Sequence, residues 1–170
     1  MNPSVPTWRL FEDLVCRILE ANNFRATKNN IRGDRGFDLL ADFENESWAI
    51  EIKYYRTARA QPSLIDAAAV RVASNGVAAQ VQKGMLVVSC ILPTELREAL
   101  EQKFSITFVD QVDLRIWCNS HPDLAEELDA LLEASLSGPQ ATRPTRSCKP
   151  LGGVHGTSGQ CAVPSQTDGA

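Results

Sequence analysis

Residues 37–55 read FDLLADFENESWAIEIKYY, and the fold turns on this stretch. In its second half Trp48, Ile50 and Ile52 alternate with Glu51 and Lys53, a period of two that marks a strand with one apolar face. In its first half Phe37, Leu39, Leu40, Ala41 and Phe43 form an apolar run with Asp38 set among them. The polar Asn45-Glu46-Ser47 between the halves suits a hairpin loop. The spacing predicts a β-hairpin with Asp38 on one strand and Glu51 and Lys53 on the next, these two roughly 7 Å apart on one side.

Ionised carboxylates in such apolar company cost several kcal/mol unless a partner or a metal offsets them. Two carboxylates aimed at one spot also raise each other's pKa, and a hard cation such as Mg²⁺, which prefers oxygen ligands, removes both penalties. A neighbouring lysine adds positive charge for a water nucleophile or a phosphate. Together these residue types point to metal-assisted hydrolysis of a phosphodiester. The plainer alternative is a solvated strand face with an exposed ion pair, which stabilises little. E-x-K alone does not decide between them, because Glu101-Gln102-Lys103 repeats the tripeptide near the end of an expected helix, where residues two apart diverge. The first copy differs by its apolar strand and by Asp38, with 12 residues between Asp38 and Glu51.

At 170 residues with 44% hydrophobic content, one globular domain with a tail is expected. The net charge of −4 does not announce a nucleic-acid binder. Its distribution says more: Arg25, Lys28, Arg32 and Arg35 precede the hairpin with only Asp34 against them, and Lys53, Arg56 and Arg59 follow. Local positive potential of this kind suits a phosphate backbone, although any one of these arginines could be a solvated surface residue. The five cysteines are odd in number and lack a C-x-x-C, which points to a reducing, cytoplasmic setting. No apolar leader and no stretch of membrane-spanning length is visible, so no membrane partner is expected.

In chain order, Thr7 is expected to cap a helix over 8–21 whose buried stripe is Phe11, Leu14, Val15, Ile18 and Leu19. Glu12 lies at the edge of that stripe, where a first-turn acid is favoured by the helix dipole. A weak strand at 24–28 and a glycine-bearing loop lead to Asp38. After the hairpin, Gln61-Pro62 opens an Ala- and Val-rich helix that Asn75-Gly76 should end or break. Residues 84–92, GMLVVSCIL, read as a strand buried on both faces. A helix from Pro93-Thr94 to about Lys103, a strand over 104–109, a short helix before Trp117 and a final helix over 122–136 complete an α/β fold, a mixed sheet flanked by helices. Residues 1–136 are the expected domain. Residues 137–170, dominated by Gly, Pro, Ser and Thr, are expected to be a disordered tail or linker. That segment carries +2, which leaves the domain at −6 against the total of −4.

The series Glu12, GDRGFDLLA, WAIEIKYY, the Ala-rich helix, GMLVVSCILPTELREAL and ITFVDQVDL resembles the Mrr-like branch of the PD-(D/E)xK restriction-endonuclease superfamily over residues 8–117. The resemblance implies a restriction-endonuclease-like mixed central sheet with an α-β-β-β-α-β core. It implies a Mg²⁺-dependent DNA endonuclease, with Mn²⁺ as a substitute, acting in bacterial restriction or phage defence. Asp38 and Glu51 would hold the metal, and Lys53 would orient the attacking water or stabilise charge on the phosphate. Glu12 would complete the site from the first helix. Gln61 would match a frequent polar position of that family at the start of the next helix, and with Arg32, Arg35 and Arg56 of the basic segments it is expected to contact DNA. Many relatives carry Gln where this chain has Glu51, which follows the broader superfamily. Mrr proteins usually add a DNA-reading domain, and none is visible here, so a separate recognition or sensor domain is implied, and a homodimer is the simplest way to cut both strands.

Two other functions compete. A Holliday-junction resolvase shares a similar arrangement of Glu, Asp and E-x-K, but its small dimers tend to be strongly basic, unlike a domain at −6. A non-catalytic nucleic-acid-binding module with a nuclease fold would have no reason to keep Asp38, Glu51 and Lys53 together. Zinc chemistry lacks ligands, since His121 and His155 have no partner at ligand spacing.

Overall fold

The computed structural model describes residues 5–28 and 37–136, without the side chains at 78, 135 and 136. Helix α1 (Thr7–Ala21) leads into strand β1 (Arg25–Lys28) and the hairpin β2 (Leu39–Phe43) and β3 (Glu46–Lys53). Helix α2 (Pro62–Ala78) crosses to β4 (Lys83–Val88), and α3 (Thr94–Phe104) crosses to β5 (Thr107–Val109). Helices α4 (Gln111–Trp117) and α5 (Pro122–Leu136) close the domain. The sheet order is β1-β2-β3-β4-β5, antiparallel across β1, β2 and β3 and parallel across β3, β4 and β5. This is the expected α-β-β-β-α-β core with helices on both faces. The Arg32 and Arg35 expectations and the tail expectation for 137–170 fall outside the described residues.

Strand alternation divides the core in two. Ile50 and Ile52 of β3, with Met85 and Val87 of β4, pack with Phe11, Leu14, Ile18, Leu114 and Leu128 on the α1–α5 side. Leu86 and Val88 pack with Ile65, Ala68, Ala69 and Val72 of α2 and Leu100 of α3 on the other side. Strand β3 is central, and its odd-numbered residues face the α2 side; that face is where Glu51 and Lys53 sit.

Four local expectations differ from the structure. Helix α1 starts at Thr7 itself, and Pro6 occupies the N-cap without a side-chain bond. The hairpin turn is Glu44-Asn45, both at positive φ (50° and 66°), because a two-residue turn must twist with its strands. Asn75-Gly76 does not end α2. The helix runs on to Ala78 and closes in a Schellman motif, with Gln80 left-handed and the Val81 N–H bonded to the Gly76 carbonyl at 3.1 Å. Strands β4 and β5 are shorter than their apolar runs: β4 stops at Val88, and Phe104 belongs to α3, with Ser105 turning at φ 54°.

Helix α2 lies close on the sheet at Gly84. A Cβ there would stand 2.8 Å from Ile106 Cγ2 and 2.9 Å from Val72 Cγ1. Both neighbours are buried and short, so neither can swing away. Gly84→Ala is therefore expected to destabilise the domain by about 1–3 kcal/mol through overpacking. Urea unfolding would measure it; an unchanged midpoint would mean that α2 can shift freely on the sheet.

Candidate active site

The site forms where β2 and β3 leave their common ladder. Past Leu39, which pairs with Ile50, the Asp38 N–H donates to the Ile50 carbonyl at 2.8 Å. The Asp38 carboxylate then accepts the Ile52 N–H at 2.7 Å on Oδ2. The side chain thus replaces the next rung of the sheet and fixes the carboxylate against the main chain on either side of Glu51. Glu51 is only 3% exposed. Lys53, two residues along and on the same side, folds its ammonium back onto Glu51 Oε1, with its own side chain 28% exposed.

The electrostatics tie Glu12 to the same place. Burial pushes the Glu12 carboxyl above its ordinary pKa, Asp38 pushes it further, and Lys53 and Lys28 pull it back. Burial likewise lifts Glu51; Lys53 opposes this by its hydrogen bond, Asp38 adds to it, and Arg71 of α2 opposes it. Glu12 from α1, Asp38, Glu51 and Lys53 therefore share one field. They do not close into a three-carboxylate cluster: among the described residues no three acidic, His or Cys side chains are grouped tightly enough to hold a metal. The adjacent pair Asp38 and Glu51 still fits Mg²⁺, which takes one or two carboxylates and fills its shell with water and phosphate oxygens.

This has a pH consequence. A carboxyl whose folded pKa is raised binds its proton more tightly folded than unfolded. Its contribution to stability is fully present below its ordinary pKa of 4.5 and is lost as pH rises through the folded value. Glu51→Gln, which mimics the protonated form, is expected to melt higher than wild type at pH 7 in EDTA, with the gap closing toward pH 4. Calorimetry at the two pH values checks it; a gap constant with pH would mean Glu51 carries no burial penalty.

The remaining expected residues lie nearby in the chain. Arg56 and Arg59 are exposed on the segment after β3, and their side chains make no hydrogen bond or ion pair among the described residues. Gln61 is exposed at the N-cap of α2 and makes no side-chain cap bond. The second E-x-K is taken up structurally: Glu101 accepts from Arg97 and from the Phe108 N–H, while Lys103 reaches Asp66.

Sequence reasoning missed Arg71. It is exposed on α2, its field reaches both Glu51 and Tyr55, and it makes no hydrogen bond or ion pair among the described residues. The available signal was that Arg71 is the one charged residue from Ala67 to Gln82, in a helix otherwise apolar or small.

Among curated proteins, none matches this chain. A solved structure described as a protein of unknown function, AF1548, superposes with a TM-score of 0.49 at 16% identity, over 76% of this chain and 66% of that one. The chain thus spans just under two thirds of that protein's length. A family model described as restriction endonuclease, that of the Mrr catalytic domain, matches residues 6–118, from Pro6 ahead of α1 to Cys118 at the end of α4. The chain belongs to the Mrr-type restriction endonuclease family.

Proposed function

We propose that the chain is a divalent-metal-dependent DNA endonuclease of bacterial restriction or phage defence. The observation that carries this is Glu51: a nearly buried carboxylate, lifted by burial, with Lys53 on one side and Asp38 fixed on the other. A structural role alone gives no reason to concentrate those charges at the end of a hairpin ladder. Asp38 and Glu51 would hold Mg²⁺, or Mn²⁺ in its place. When bound, the ion supplies charge neutralisation at the scissile phosphate and a more acidic attacking water.

The chain's own groups do the rest. Lys53 presents an ammonium to the attacking water and to charge growing on the phosphate. Glu12 approaches from α1 as a further acceptor for ordered water. Arg56 and Gln61, which follow Lys53 in the chain, and Arg71, whose field reaches Glu51, would serve as cationic or polar contacts for the DNA backbone. No helix of the described residues is long and apolar enough to cross a membrane. The free, buried thiols of Cys16, Cys90 and Cys118 support a reducing, cytoplasmic setting. Cutting both strands calls for two such sites, which a homodimer would supply.

Incubation with supercoiled plasmid tests the proposal. Nicking or linearisation in Mg²⁺ or Mn²⁺ and none in EDTA is the expected result. Cleavage undiminished by EDTA would sink the metal assignment. If no DNA is cut, calorimetric titration with Mg²⁺ decides whether the acidic site binds metal at all.

A further inference from the structure

Ser89 follows β4 between Val88 and Cys90, both buried, and is itself 3% exposed. Its hydroxyl is spent on one residue. It accepts the Tyr55 N–H at 2.7 Å and donates to the Tyr55 carbonyl at 3.1 Å. Two main-chain bonds flank this clasp: Ser89 N–H to the Lys53 carbonyl at 3.1 Å, and Ile91 N–H to the Ala58 carbonyl at 3.2 Å. The Cys90 side chain adds a contact of its own, its sulfur hydrogen-bonded to the Ala60 main chain. The segment between β3 and α2 has no helix or strand of its own. Beyond the Tyr54 ring, which packs on Phe11 and bonds the Leu131 carbonyl, the bonds that hold the segment to the sheet run to residues 89–91.

That segment follows Lys53 and carries Arg56 and Arg59, whose side chains make no hydrogen bond or ion pair among the described residues. We propose that Ser89 is a positioning residue of the nuclease: by clasping both main-chain groups of Tyr55, it sets the path of residues 54–60 and so where Arg56 and Arg59 meet a phosphate backbone beside Lys53. The inference rests on the nuclease reading above. The competing account is that Ser89 only satisfies two buried backbone groups, and it predicts lost stability with no coupling to the arginines.

A binding cycle separates them. Affinity for a short DNA duplex is measured in EDTA, where no cleavage occurs, for wild type, Ser89→Ala, the double variant Arg56→Ala/Arg59→Ala, and the triple variant. The expected losses are about fivefold for Ser89→Ala and about tenfold for the arginine pair, with the triple no weaker than the pair, because displaced and deleted arginines forfeit the same contacts. Additive losses, about fiftyfold in the triple, would overturn the proposal, as would Ser89→Ala binding like wild type. Ser89→Thr keeps the hydroxyl and is expected to restore affinity; binding as weak as Ser89→Ala would count against the clasp.

Amide hydrogen exchange on the free protein supplies a readout without DNA. Residues 54–60 should exchange faster in Ser89→Ala while α3 and α4 keep their protection. Uniform acceleration across the domain would overturn the positioning role. If Ser89→Ala does not fold, Ser89→Cys, with its weaker thiol partner, takes its place in the cycle. Wild type failing to bind any duplex would sink the nuclease reading itself, a result distinct from an additive cycle.

Discussion

Lys53→Ala is expected to lower Mg²⁺-dependent plasmid cleavage by about 10²–10³-fold, the usual loss when one preorganised charge-stabilising group leaves a water-poor site. The position argues for an effect on chemistry. Lys53 ends the central strand, its ammonium lies against Glu51, and its side chain is 28% exposed, enough to meet a substrate. DNA affinity in EDTA should fall only a few-fold, because a single phosphate contact is a small share of a backbone interface. The variant should still fold: with Lys53 gone, Glu51 can take up a proton, the response that its burial already favours. Glu51→Ala is expected to be equally inactive. Either variant retaining a tenth of wild-type cleavage would overturn the site assignment, while full loss accompanied by collapse of the circular-dichroism spectrum would show a folding defect instead.

The faces of the elements were more legible in the sequence than their ends. The period of two through WAIEIK placed Ile50 and Ile52 in one core and Glu51 and Lys53 on the opposite face, and the structure has that arrangement. The stripe of α1 was equally legible because its buried residues follow a 3.6 period. What failed was punctuation. Gly76 costs a helix about 1 kcal/mol, yet it is a buried residue of α2, and tertiary packing overrides so small a penalty. Glu44 at positive φ is not a residue that announces a tight turn.

Long-range relations were harder still. Nothing in the spacing of Glu12, Asp38 and Arg71 says that α1, the hairpin and α2 share one field, because that depends on how helices seat on a sheet. Ser89 was invisible for a related reason. In GMLVVSCIL it reads as one polar interruption of a strand, and only the fold shows it clasping a residue 34 positions earlier.

The same ambiguity governs Asp110, which the family resemblance carries in its V-D-x-x-x-L ending and which could pass for another catalytic acid. The structure gives it a different job. It is 4% exposed and caps α4: Oδ1 accepts the Val112 and Asp113 N–H groups at 2.7 and 3.2 Å, and Oδ2 accepts the buried Leu92 N–H at 3.1 Å. Asp113 returns the favour, taking the Asp110 N–H at 3.0 Å while its carboxylate meets Arg97 at 2.7 Å. Arg97 in turn holds the Phe108 carbonyl at 2.7 Å. One carboxylate therefore joins the exit of β4, the end of β5 and the start of α4. Asp110→Ala removes a helix cap and strands the Leu92 N–H in the interior, a combined loss of about 3–4 kcal/mol. For a domain of this size that is a fall in melting temperature of about 10–15 °C. Asp110→Asn keeps an oxygen for the cap and should lose less. Measured well below both transitions, Asp110→Ala should retain cleavage within a few-fold of wild type, unlike Lys53→Ala. A wild-type melting temperature with abolished cleavage would make Asp110 part of the chemistry and contradict the division of labour between Asp38 and Glu51 on the hairpin and the acid that follows β5.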